Sequence, residues 1–217
     1  MSGESQRLRE RGASQWAAAV AHPMVAQIGA GTLPHETFRF YFEQNLPYLR
    51  EYARAIAFTA AGTSDRGAVS VLARFLSQIA DVEIPANEAF LERLGGSLTE
   101  SAVMLPTTYA YTRHLLDATR RGGLAVALAA LLPCQWSYGE IGRHLARSLP
   151  GDPVYRDWIA MFAGDGYDDL VVASTELLDA ACTAGDQPST ADAFDRSTRY
   201  EIAFWQMAYT RGESDRA

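Results

Sequence analysis

The chain has 217 residues, of which 48% are hydrophobic and 21% charged, a balance that suits one large domain with a filled core and speaks against a disordered tail. A net charge of −7 leaves no basic stripe to neutralise phosphates, which argues against nucleic acid as a partner. Two cysteines without framework spacing suit neither a disulfide scaffold nor a zinc site.

The chain opens on MSGESQRLRERGASQW, which alternates charges and lacks the apolar centre of a secretory signal. The longest apolar run, at 124–133, is about half the length needed to cross a bilayer. A cytoplasmic protein without a membrane segment is the expectation. Strand signals are sparse, whereas apolar residues recur at spacings of three and four. Gly, Pro and polar clusters at 22–23, 31–34, 62–67, 95–100, 104–106, 121–123, 149–153 and 185–190 divide the chain into seven or eight helices with short connections. The predicted fold class is an all-α, single-domain helical bundle over residues 1–217.

Taken in order, the helices carry odd residues on their apolar faces. From Phe38 a seam runs through Tyr41, Asn45, Tyr48, Tyr52, Ala55 and Thr59, with Asn45 interrupting an aromatic stripe. Met104, Thr108, Tyr111 and Leu115 share a face further on, and Cys134, Tyr138, Ile141 and Leu145 do so in the next helix. The last seam is Phe194, Thr198, Glu201, Phe204, Trp205 and Ala208, in which a carboxylate among aromatics should have a raised pKa unless paired. Any one buried polar residue can simply fix helix register. Asn45, Tyr111, Cys134, Tyr138 and Glu201 stand on four helices, however, and bundles build sites from inward side chains of facing helices. Together they suggest a closed, polar, aromatic-lined pocket.

Cys182, in an alanine-rich stretch, reads as an inert small hydrophobe. Cys134 follows Pro133, which removes a helix donor and frees the carbonyl of Ala129; the expectation is a helix start there that lowers the thiol pKa. A di-iron bundle needs Glu and Glu-x-x-His pairs. Glu83 and Glu140 are present, but His22, His35, His114 and His144 offer them no partner on a shared core face, and no metal site is expected. Trp16, Trp158 and Trp205 are core or subunit contacts, core being the commoner outcome for tryptophan.

HPMVAQIGAGTLPHETFRFYFEQNLPYLREYARAIA, TTYAYTRHLL, LLPCQWSYGEIGRHL, YRDWIAMFA and RYEIAFWQMAY resemble, in order and spacing, the motifs of TenA-type thiaminase II proteins over about residues 14–210. The resemblance implies a fold similar to haem oxygenase without haem, a homotetramer, and hydrolysis of 4-amino-2-methylpyrimidine compounds to hydroxymethylpyrimidine for thiamin salvage, with no metal or organic cofactor. It assigns Cys134 as the nucleophile that adds to the pyrimidine ring and Glu201 as proton donor. Tyr48, Tyr111 and Tyr138 would line the substrate pocket, and Phe204 would pack on the ring. Asn45 stands where the family commonly has an aspartate that accepts from the 4-amino group, and Phe162 where many members have tyrosine. Pro47 falls where the helix is ordinarily uninterrupted. These departures leave three readings in play: a cysteine-dependent hydrolase, a paralogue that binds or processes another heterocycle with little turnover, and a metal-dependent oxidase on the same scaffold, for which the histidines are unsuited.

Overall fold

The computed structural model describes residues 3–98 and 103–216; the end of the predicted break at 95–100 lies outside them. Among the described residues there is no strand. The helices are α1 (Glu4–Arg11), α2 (Ala13–Val20), α3 (Pro23–Ala30), α4 (His35–Ala61), α5 (Arg66–Ser77), α6 (Ile84–Arg93), α7 (Pro106–Arg121), α8 (Gly123–Leu145), α9 (Pro153–Phe162), α10 (Asp165–Ala181) and α11 (Gln187–Tyr209). A π-helical turn, Gln78–Glu83, joins α5 to α6, and a short 3-10 turn follows α11.

The predicted breaks fall where the caps are. His22 Nδ1 accepts from Met24 N at the start of α3 with Pro23 in the first turn, and Asp65 and Asp152 do the same for α5 and α9, each satisfying an orphan helix donor. Gly31 ends α3 with φ 67°, a conformation that favours glycine. Three divisions went beyond the seven or eight helices expected: α1 from α2 at Gly12, α9 from α10 at Gly164, and the π turn between α5 and α6. Single glycines without a neighbouring proline are weak breakers, and a π turn leaves the apolar pattern almost continuous. Met104 proves to lie before α7 and not within it, though Thr112 Oγ1 still reaches its sulfur at 3.9 Å.

One contiguous apolar core runs from Leu8 to Ala208. Its centre is a bundle of α4, α7, α8 and α11, each packed against the other three. The expected seams of α4 and α11 are buried at every position from Phe38 to Thr59 and from Phe194 to Ala208, and Trp16, Trp158 and Trp205 are all core residues. Gln44 locks α7 to α4: its Oε1 accepts from Leu105 N and Thr108 Oγ1 at 3.0 and 2.9 Å, and its Nε2 donates to Val103 O. That clamp fixes the register of the helix carrying Tyr111. At Gly142 an added Cβ would lie 2.6 Å from the Phe162 backbone, so α8 and α9 cross at a distance only glycine allows.

The apolar run at 124–133 opens α8, within the helix expected between the breaks at 121–123 and 149–153. All 23 residues of α8 are long and apolar enough for a membrane span, but 72% of its most apolar window is buried by the other helices. It is a core helix, packed against α2, α4, α7, α9, α10 and α11.

Candidate active site

Each central helix delivers part of one cluster. Tyr48 and Tyr52 come from α4, Tyr111 from α7, Cys134 and Tyr138 from α8, and Glu201 and Phe204 from α11. Steps of three and four along α4 turn Asn45, Tyr48 and Tyr52 to the same side. Tyr48 is the hub of the rings, with centroids 5.0 Å from Tyr111, 5.5 Å from Tyr52 and 5.5 Å from Phe204. Its hydroxyl is buried without a well-formed hydrogen bond and lies beside the Cys134 thiol.

Tyr111 Oη donates to Glu201 Oε1 at 2.5 Å, a short bond of the charge-assisted kind. Burial raises the Glu201 pKa, and the Tyr111 hydroxyl and then the Cys134 thiol pull it partly back, leaving it at about 7. Cys134 goes the other way from the expectation built on Pro133. Burial pushes the thiol well up, the Glu201 charge adds to the push, and the neighbouring Tyr48 and Tyr52 hydroxyls offset only part of it. The proline opens no helix start, because α8 continues through it. Hydroxyls reinforce the turn instead: Tyr52 Oη donates to Leu131 O at 2.6 Å and Ser197 Oγ to Ala130 O at 2.7 Å.

The resting group is therefore a neutral thiol facing a carboxyl that is near half-ionised at neutral pH. Such a carboxyl can take the thiol proton as sulfur bonds to an electrophile and return it later. The thiol is the accessible member of the pair. Cys134 is only partly buried, although Tyr48, Tyr52, Glu201 and Glu83 beside it are each at most 5% exposed. The thiol is thus the least covered member of the cluster.

The remaining sequence-predicted residues form the flanks. Tyr138 and Tyr41 share a hydrogen bond at 3.0 Å, and Tyr41 also meets Phe204. Phe162 packs on Tyr138 and Trp158 at 5.0 and 5.1 Å and on Tyr167 at 5.3 Å, and reaches the cluster through Tyr138 and Tyr167. Asn45 Nδ2 donates to Asn87 Oδ1 at 2.8 Å, and Asn87 Nδ2 donates to the Glu83 carbonyl at 2.7 Å. The histidines stand elsewhere: His22 caps α3 and meets Gln206, His35 pairs with Asp152, His114 bonds Ser197 Oγ, and His144 is exposed. Glu140 accepts from Trp16 Nε1 and Arg9 on another face of α8. Among the described residues no group of three or more potential metal ligands is gathered.

Four members of the cluster were not singled out as site residues from sequence. Tyr41 and Tyr52 lay on the recognised seam of α4 and were read as core. Tyr167, on α10, is buried and feels the charges of Glu83, Cys134 and Glu201, yet nothing local in YDDLVV marks it. Glu83 stands out in the sequence only as a candidate metal ligand. Its signal was a glutamate between Val82 and Ile84, legible only once the π turn is known.

The chain is similar to known proteins over most of its length. An aminopyrimidine aminohydrolase of Bacillus subtilis is 34% identical over 219 residues, covering 98% of this chain and 93% of that one. A TenA homologue from P. horikoshii superposes with a TM-score of 0.90 at 28% identity, covering 97% of this chain and 100% of that one. A domain of unknown function with a heme oxygenase-like fold from Shewanella denitrificans, 15% identical, covers 98% of this chain and 97% of that one with a TM-score of 0.77, which establishes the fold class inferred from the motifs. The family model described as TENA/THI-4/PQQC matches residues 9–211, and the chain belongs to that family.

Proposed function

We propose that this protein is an aminopyrimidine aminohydrolase of the thiaminase II type, a cysteine-dependent hydrolase that releases hydroxymethylpyrimidine from 4-amino-2-methylpyrimidine compounds in thiamin salvage. The observation that carries the reading is the convergence of Cys134 and Glu201, from α8 and α11, among the rings of Tyr48, Tyr111 and Phe204. The near-full-length likeness to aminopyrimidine aminohydrolases supports it.

In this reading the Cys134 sulfur bonds to C6 of the pyrimidine as its proton passes to Glu201. The electron pair displaced into the ring expels the amine from the methylene on C5, and the amine leaves with the proton from Glu201. Water then adds to the exocyclic methylene, giving a proton to Glu201. Expulsion of the sulfur restores the aromatic ring, and the proton returns to the thiolate. Covalent addition replaces one difficult displacement with easier steps, and Glu201 alternates between base and acid. The buried Tyr111 and Tyr48 hydroxyls orient the carboxyl and the ring, and Phe204 packs on the ring face. No cofactor enters the scheme, and the partner is the small pyrimidine itself. A cytoplasmic homotetramer completes the reading.

Incubation with thiamin and with its aminomethylpyrimidine breakdown product, followed by mass spectrometry, tests it. Native protein should form hydroxymethylpyrimidine, and Cys134→Ala should lose at least about 10³-fold in rate with an unchanged circular dichroism spectrum. Full activity in that variant would refute the reading. Tight binding by calorimetry without any product would favour the paralogue that holds a heterocycle without turning it over, for which Asn45 is the motive.

A further inference from the structure

The π turn between α5 and α6 reverses the usual sorting of side chains. Val82 is 45% exposed while the adjacent Glu83 is 5% exposed, although apolar groups are the ones burial favours. Isolated π turns inside helices are costly in register and recur at functional sites. Here the turn drives a carboxyl into the interior, where Glu83 Oε1 has no hydrogen-bond partner. The carboxyl is close enough to Cys134, Tyr41 and Tyr167 for its charge to act on all three. An orphaned polar atom at such depth calls for an explanation.

Asn45 supplies the context. Its amide nitrogen is committed to Asn87, and Asn87 in turn holds the backbone of Glu83, so one hydrogen-bonded chain links the α4 position to the π turn. Asn45 has no charge to offer, and the nearest carboxyl along this chain is Glu83. We propose that Glu83 recognises the edge of the substrate formed by the 4-amino group and the adjacent ring nitrogen, a task that Asn45 cannot perform alone in this protein. The inference rests on the hydrolase reading above and names a further binding group within the same site.

The chemistry of that edge fits a protonated carboxyl. An aminopyrimidine presents one N–H donor beside one ring-nitrogen acceptor, and a carboxylic acid presents a C=O acceptor beside an O–H donor. Burial raises the Glu83 pKa to about 8, the nearby Gln78 side chain opposing it in part, so the acid form prevails at neutral pH. As the Cys134 sulfur adds at C6, negative charge spreads to the ring nitrogen at this edge. An O–H already donating there stabilises it, whereas a carboxylate would oppose it. The groups facing Glu83 from α4, α8 and α10 are Tyr41, Cys134 and Tyr167, all with raised pKa values and thus neutral over the same range.

Two probes without a leaving group separate recognition from turnover: 4-amino-2,5-dimethylpyrimidine and its analogue lacking the amino group, 2,5-dimethylpyrimidine, each titrated by calorimetry. Glu83→Met should weaken binding of the amino probe by roughly tenfold or more, as a lost pair of hydrogen bonds to a buried edge does, and that of the analogue by less than about twofold. Glu83→Gln, whose amide offers the same donor and acceptor pair, should keep the discrimination. Should Glu83→Met fail to fold, Glu83→Asp, with its carboxyl withdrawn by one methylene, should show the same selective loss. Equal losses for both probes, or undiminished discrimination in Glu83→Met, would overturn the assignment while leaving the hydrolase intact. A native protein that binds neither probe and forms no product would overturn the hydrolase reading itself.

Discussion

At the scale of single residues, Cys134 and Glu201 are matched by a common burial. Both lose charge stability on leaving water, but Glu201 keeps a donor, Tyr111 at 2.5 Å, that holds its pKa at about 7. Removing that donor has a calculable direction. Tyr111→Phe should raise the Glu201 pKa further, so the ionised fraction at a given pH falls. In the proposed scheme the free enzyme needs Glu201 ionised to accept the thiol proton. The limb of kcat/KM that rises with pH should therefore move upward by up to about one unit, and the loss at pH 6 should exceed that at pH 8 by several-fold. A pH profile of the variant checks this, and an unshifted limb would detach Tyr111 from Glu201.

At the scale of elements, hydroxyls from neighbouring helices attach to the turn of α8 that precedes its proline. Tyr52 from α4 and Ser197 from α11 donate to Leu131 O and Ala130 O, and Ser197 also meets His114 from α7. Ser197→Ala leaves a buried carbonyl and a half-buried imidazole short of a partner and should destabilise the fold by roughly 1–3 kcal/mol, read by urea denaturation. The glycine at the α8–α9 crossing is more sensitive. Gly142→Val forces side-chain atoms into the Phe162 backbone and should lower the melting temperature by several degrees or prevent folding, whereas overpacking at an open surface glycine such as Gly166 should not.

At the scale of the whole molecule, two buried carboxyls weaken the fold at high pH. Glu201 and Glu83 both have pKa values raised in the folded state, to about 7 and about 8. The folded protein then binds protons that the unfolded chain has already released, and stability falls as pH rises from the ordinary carboxylate pKa through about 8. His22 and His114, whose pKa values are lowered chiefly by burial, act at the other end, costing stability as pH falls below about 6.5. Glu83→Gln should accordingly be more stable than native protein at pH 8 by roughly 2–4 kcal/mol and nearly equal to it at pH 4.5. Denaturation at the two pH values checks the difference. Assembly belongs to this scale too, and light scattering at several concentrations should give fourfold the chain mass for the proposed tetramer.

Much of this was already determined by the order of residues. Heptad-like spacing in α4 and α11 set which faces would be buried, because an apolar stripe on a 3.6-residue repeat has only one way to leave water. Proline and glycine clusters set most helix ends, and the motifs around Cys134 and Glu201 set the family. What only the tertiary structure decided depends on contacts distant in sequence. The thiol pKa follows from Tyr48, Tyr52 and Glu201 closing around Cys134 and not from the proline beside it. The inward turn of Glu83 follows from a π register that no local pattern specifies, and its link to Asn45 through Asn87 exists only after α4 and α6 have packed. Desolvation and cross-helix hydrogen bonds are properties of the folded interior, so no linear reading of the chain contains them.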